Sequence, residues 1–163
     1  MSCGDGVFSF LLAGGNFDTE FDIFGATQNL DKFFDNEDIY NATHDNYNPQ
    51  ITDRPEYQIT VGTDWKQSLL DKAEVLDFYD GLIVHDNNDP LPFKSNRFET
   101  VFSNSVYWVH NVDLHLSEIA RVTDSNDGQA ILILKTQHIR RFLNFLYDEW
   151  VDKIGNEVIE MID

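Results

Sequence analysis

The sequence predicts an α/β fold built on an open, mostly parallel sheet flanked by helices, and three observations predict it. Two short apolar strands, Ile59-Thr-Val-Gly-Thr-Asp64 and Gly81-Leu-Ile-Val-His-Asp86, lie about one crossover apart, and each ends in a carboxylate. Strand patterns alternate with helix patterns, as parallel βαβ units require. Ala130-Ile-Leu-Ile-Leu134 is an unbroken apolar run, which a strand covered on both faces needs.

The elements follow in order. Met1-Ser-Cys-Gly-Asp-Gly6 leads straight into an apolar helix. Residues Asn16 to Glu56 are rich in Asn, Asp, Phe and Tyr with weak periodicity, and are expected to form an insertion or lid over positions 16–56. Gln58–Thr63 reads as the first strand, being rich in β-branched residues and bounded by turn formers. Trp65 to Asp77 places Leu69, Leu70, Ala73 and Leu76 on one helical stripe. Gly81–His85 and Thr100–Ser103 are further strands. Val112 to Val122 is a helix with Val112, Leu116, Ile119 and Ala120 as its stripe, and Asn111 and Asp113 supply capping groups. Asp127-Gly128 turns the chain into the strand Gln129–Lys135. From Gln137, residues Ile139, Phe142, Leu146, Trp150 and Ile154 predict a long amphipathic helix over about 137–160. The 163 residues are expected to form a single domain.

Composition narrows the class of function. A hydrophobic fraction of 42% and an aromatic fraction of 13% are those of a globular chain. Eleven basic against 29 acidic residues give a net charge of −18. That field repels phosphate backbones and anionic lipid, so neither nucleic acid nor a membrane surface is an expected partner. No apolar run approaches the ~20 residues that span a bilayer. The amino end lacks the basic and apolar segments of a signal peptide, and Cys3, the lone cysteine, allows no internal disulfide. A cytoplasmic location is expected.

The residues with chemical potential lie at turns. Gly4 and Gly6 flank Asp5 where a helix begins, and glycines there let backbone approach a ligand closely. Acids at the carboxyl edge of a doubly wound sheet can accept hydrogen bonds from ribose hydroxyls. The plain alternative for Asp64 and Asp86 is a loop acid capping the next helix. The histidines at 44, 115 and 138 share no ligand spacing with the acids, so no metal is expected, and His85 reads as structural.

Cys3-Gly-Asp-Gly6 opening a helix resembles the first motif of class I S-adenosylmethionine-dependent methyltransferases, of the methyltransferase type 11-like kind. Gly62-Thr-Asp64-Trp resembles the acidic end of that family's second strand. Asp86-Asn-Asn-Asp-Pro-Leu-Pro-Phe93, Phe98-Glu-Thr-Val-Phe-Ser-Asn-Ser105, Leu116-Ser-Glu-Ile-Ala-Arg-Val122 and Gly128-Gln-Ala-Ile-Leu-Ile-Leu134 follow in family order. The resemblance runs from Asp64 to about Thr136 and implies a Rossmann-like sheet. Ser2 stands where the motif has its first glycine. The family's strand before the glycines and its last strands have no counterpart, so the resemblance implies a domain shortened at both ends. Exposed strand edges in such a domain would favour self-association into a homo-oligomer.

Carried over position by position, the resemblance implies an S-adenosyl-L-methionine cofactor. Gly4, Asp5 and Gly6 would line its methionine part, Asp64 would receive the ribose hydroxyls, and Trp65 would lie beside the adenine. Asp86 would accept from the adenine amino group with Asn87 next to it, and Ser103 and Asn104 would close the pocket. His110 is the candidate base, although many relatives carry a histidine one position earlier, where Val109 stands here. Tyr107 and Trp108 are candidates for lining a substrate pocket. The expected reaction is methyl transfer to a small-molecule or saccharide-type acceptor. The alternative is a non-catalytic methyltransferase-like remnant serving in association. A dinucleotide oxidoreductase is disfavoured, because no full Gly-x-Gly-x-x-Gly follows a strand.

Overall fold

A computed structural model describes residues 1–22, 47–104 and 109–133. The predicted helix over 137–160, part of the predicted insertion, and Tyr107, Trp108 and His138 lie outside the described residues. Gly4 and Gly6 both adopt left-handed backbone, turning the chain into α1 (Val7–Leu12). This short helix buries Val7 and Phe10. At six residues it is held by packing rather than by its own helical propensity. What is described of the 16–56 segment includes an antiparallel pair, β1 (Asn16–Phe17) and β2 (Ile51–Asp53).

The first predicted strand begins loosely. Ile59 makes an isolated parallel bridge to Tyr79, and a regular ladder forms only at β3 (Gly62–Asp64), which pairs in parallel with β4 (Leu82–Val84). The register sets Asp64 opposite Val84, so Asp64 is the strand's last residue rather than the one after it. Between them α2 (Gln67–Val75) buries Leu69, Leu70 and Ala73, and Leu76 follows fully buried, which is the predicted stripe. β5 (Thr100–Ser103) pairs in parallel with β6 (Gln129–Leu132), joined through α3 (Val112–Val122). Asn111 caps α3, its side chain accepting from Leu114 N at 3.2 Å.

The predicted continuous sheet is, among the described residues, two parallel pairs and the small antiparallel pair. The reason lies in the backbone between β3 and β5. Cys3 N donates to Thr63 O at 2.9 Å, and Met1 N donates to Phe102 O at 2.6 Å. Asn104 N reaches Met1 O at 3.5 Å. Met1–Cys3 thus bonds to both pairs at their carboxyl ends, over too short a stretch for a full ladder.

Two apolar clusters hold these elements, one around α1 and the end of α2, the other around β5 and α3. Val7, Phe10, Leu76 and Phe78 form one, with Phe17, Ile51, Ile59 and Tyr79 against it. Leu91, Val101, Ile119 and Val122 form the other, with Met1, Phe93, Phe98 and Leu132. Phe8 of α1 stacks on Phe102 of β5, with ring centroids 6.1 Å apart, and so helps tie the two halves together. The predicted stripe of α3 is rotated in the structure. Its buried residues are His115, Glu118, Ile119 and Val122, whereas Ala120 is exposed and Val112 and Leu116 are half-buried. His115 and Glu118 can turn inward because each finds a hydrogen-bond partner there.

Candidate functional site

The glycine loop, the end of β3 and the end of β4 meet at one edge. Asp64 is buried, and its carboxylate organises the meeting. One oxygen accepts from Gly4 N at 3.0 Å and the other from Lys66 N at 3.1 Å. The first bond pins the glycine loop to the strand end, and the second turns the chain towards α2. A carboxylate has about four acceptor sites, so both oxygens retain capacity for further donors. Asp5 serves its own helix, its Oδ1 accepting from Val7 N at 3.2 Å. Cys3 is half-buried, and desolvation pushes its thiol up to about 12, so it carries no thiolate chemistry at neutral pH.

The end of β4 supplies the second wall. Asn87 is buried and donates from Nδ2 to Ser2 Oγ at 2.8 Å, tying the loop after β4 to the amino-terminal segment. Asp86 is exposed and accepts from Asn88 N at 2.9 Å and Asn88 Nδ2 at 2.8 Å. These bonds hold its carboxyl below the usual carboxylate range, backbone donation contributing most. Asn88 Oδ1 accepts from His110 N at 2.7 Å and Asn111 N at 3.2 Å. Asp86 and the exposed His110 are therefore brought to one neighbourhood through Asn88. The indole of Trp65 stands out into solvent at 65% exposure, with Lys66 Nζ 4.9 Å from its ring centroid.

Behind this edge lies a buried polar pair. Ser103 Oγ and His115 Nε2 share a hydrogen bond of 3.2 Å, both residues being almost wholly buried. Burial pushes the His115 imidazole below its ordinary value, with the Met1 amine and His85 adding in the same direction. An unfolded histidine takes its proton near about pH 6.5, the folded one only at lower pH, so stability falls as pH drops through that interval. Above it, the contribution is constant. We expect the urea midpoint of the wild type to fall more steeply between about pH 7 and pH 5 than that of His115→Gln. Parallel curves would mean that another group carries the acid sensitivity.

Of the residues expected at the site, Gly4, Asp64, Asn87 and Asn104 are gathered around Met1–Gly6, and Ser103 lies just beneath. Gly6 faces inward, an added Cβ meeting Tyr79, Leu76 and Ala73. Ser2, Asn88 and His115 join these residues without having been expected. Asn88 was open to discovery in the Asp86-Asn-Asn-Asp run, since such side chains bond neighbouring backbone. His115 carried no signal beyond its type. Among the described residues no group of histidine, cysteine and acidic side chains could hold a metal ion. No helix among them is long and apolar enough to cross a membrane.

A family model described as a methyltransferase domain matches residues 47–132. The chain belongs to this family. The match takes in Asp64, Trp65, Asp86, Asn87, Ser103, Asn104 and His110, while Gly4, Asp5 and Gly6 precede it. No curated protein matches the chain. The family is that of class I S-adenosylmethionine-dependent methyltransferase-like domains, and it accounts for the parallel pairs whose carboxyl ends gather the loops of this methyltransferase domain.

Proposed function

We propose that this methyltransferase domain binds S-adenosylmethionine along the carboxyl edge of β3, β4 and β5 and transfers its methyl group to a small-molecule or saccharide-type acceptor. One observation carries the reading: Gly4 N on Asp64 and Cys3 N on Thr63 set a glycine loop against a strand-end carboxylate. Crevices outside the carboxyl ends of parallel strands are where open α/β sheets take ligands. The donor set fits the cofactor. Asp64 and Asp86 offer acceptors for hydroxyl and amino groups, Trp65 offers an exposed ring, and a Cβ built on Gly4 meets nothing within 4 Å. Thr63 Oγ1 and His85 Nε2 are buried at the same strand ends without a hydrogen-bond partner among the described residues, a polar lining suited to a polar ligand.

In this reading the loop Gly4-Asp5-Gly6 shapes the wall for the methionine part, Gly4 facing the ligand and Gly6 packed against the protein behind it, while Asp64 takes the ribose and Trp65 flanks the adenine. Asp86 accepts from the adenine amino group beside Asn87, and Ser103 and Asn104 close the pocket. When bound, the cofactor supplies an electrophilic methyl group. The chain's own task is alignment of the acceptor with that carbon. His110, held near Asp86 by Asn88, is the base for an acceptor that must lose a proton. The acidic surface favours neutral or cationic acceptors over phosphorylated ones. We place the reaction in the cytoplasm.

Calorimetry with S-adenosylhomocysteine tests this. Saturable binding is expected in the wild type and roughly tenfold weaker binding in Asp86→Ala, whose exposed side chain can be removed with little effect on the core. Absence of binding would favour a non-catalytic domain serving in association. Tighter binding of a nicotinamide dinucleotide would overturn both readings.

A further inference from the structure

The segment Asp89-Pro-Leu-Pro-Phe93 has a peculiarity of sequence: prolines at 90 and 92 leave Leu91 as the only backbone donor between Asp89 and Phe93. That one donor is taken by a buried acid. Leu91 N donates to Glu118 Oε2 at 2.7 Å, and Leu91 itself is buried in the β5–β6 cluster. Arg121, one turn further along α3, takes the carbonyls on either side of Pro92. Its Nη1 donates to Phe93 O at 2.8 Å and its Nη2 to Leu91 O at 3.0 Å. The two side chains are also bound to each other as a fork, Arg121 Nε to Glu118 Oε1 at 2.7 Å and Nη2 to Glu118 Oε2 at 2.6 Å. A bidentate pair of this kind is rigid and directional. It presents one acceptor and two donors matched to one acceptor-rich stretch of backbone.

The same loop is held a second time by the same helix. Asn88 Oδ1 accepts from His110 N and Asn111 N, the residues leading into α3. The segment from Asn88 to Phe93 is therefore tied at its start to the turn that enters α3, and at its middle and end to α3 itself. Asp86 and Asn87 stand immediately before the first tie. We propose that Glu118 and Arg121 are positioning residues that fix the loop after β4, and through it the placement of Asp86 and Asn87 at the cofactor edge. The inference rests on the cofactor reading above, yet its mechanical part stands apart from it. The pair touches neither Asp86 nor the glycine loop. It acts only through the backbone of Leu91 and Phe93.

Two measurements on the full chain test the proposal. The first is hydrogen exchange of the Asn88, Asp89 and Leu91 amides, each of which has an acceptor in the structure. In Arg121→Met and Glu118→Ala these amides should lose protection while those of β3 and β4 keep theirs. Glu118→Gln retains an acceptor for Leu91 N and should restore most of it. The second is S-adenosylhomocysteine affinity, measured in denaturant-free buffer where each variant is fully folded by circular dichroism. A rise in Kd of roughly tenfold or more is expected for Arg121→Met and Glu118→Ala, with Glu118→Gln near the wild type. A purely structural pair would lower the urea midpoint and leave the Kd of the folded protein unchanged, and that result overturns the proposal. So does unchanged protection at Asn88 and Asp89. Should Arg121→Met not fold, Arg121→Lys, which keeps the charge and loses the fork, decides in its place by the same two readings. If the wild type itself binds no S-adenosylhomocysteine, the cofactor reading fails and the exchange data alone decide whether the pair sets the loop.

Discussion

Gly6→Ala should cost about 2–5 kcal/mol of folding stability, whereas Gly4→Ala should cost only about 1–2 kcal/mol and instead remove ligand binding. Both glycines sit in left-handed backbone, at φ +78° and +59°, so a side chain at either carries the same backbone penalty. They differ in what lies beyond the Cα. A Cβ on Gly6 would meet Tyr79 Cε2 at 2.9 Å, Leu76 Cδ1 at 3.1 Å and Ala73 Cβ at 3.2 Å, all within the packed side of the loop. Overpacking of that kind adds about 1–3 kcal/mol to the backbone strain. A Cβ on Gly4 meets nothing within 4 Å. Gly4 therefore faces the space in which a ligand is proposed, and Gly6 faces the protein. Urea denaturation and calorimetry on the two variants separate these roles. Equal stability losses would remove the packing account of Gly6. Wild-type affinity in Gly4→Ala would show that the loop does not border the ligand.

That division of labour could not be read from the sequence, where Gly4 and Gly6 look alike. What could be read was whatever depends on local periodicity. The stripe of Leu69, Leu70, Ala73 and Leu76, the strand Thr100–Ser103 and the helix Val112–Val122 are found as expected, because apolar spacing and a capping Asn111 specify them locally. The inward face of α3 departs from its apolar stripe because two polar residues of the helix point into the core. His115 and Glu118 are buried by partners distant in sequence, Ser103 and Leu91, and no pattern within the helix discloses such partners. Asp64 shows the same limit. Its place at a strand end was legible, but the Gly4 N–H that it accepts is 60 residues away.

Phe10→Ala should remove about 3–5 kcal/mol, a large part of what holds a domain of this size together. Phe10 is fully buried, edge-on to Phe78 at 5.5 Å between centroids and tilted against Phe17 at 5.0 Å. Gly15 closes over the same ring so tightly that a Cβ there would lie 2.2 Å from it. Phe10 is the one large side chain of α1 that is fully buried: Val7 is the helix's other buried residue, Phe8 on Phe102 is nearly half exposed, and the helix is too short for independent helicity. The consequence reaches the site because α1 carries the glycine loop at its start. Once Phe10 is gone, α1 can leave its seat, and Gly4 N leaves Asp64 with it. Apparent affinity then falls by the fraction of molecules that keep the loop in place, even where the parallel pairs persist. In Phe10→Ala we accordingly expect exchange protection to fall first at Gly6 to Ala13, at denaturant concentrations where β5 and β6 remain protected. Phe10→Leu, which refills most of the volume, should recover much of the stability and of the affinity together. Recovery of one without the other would separate the helix from the site. The geometry at Gly4 and Asp64 argues that they move as one.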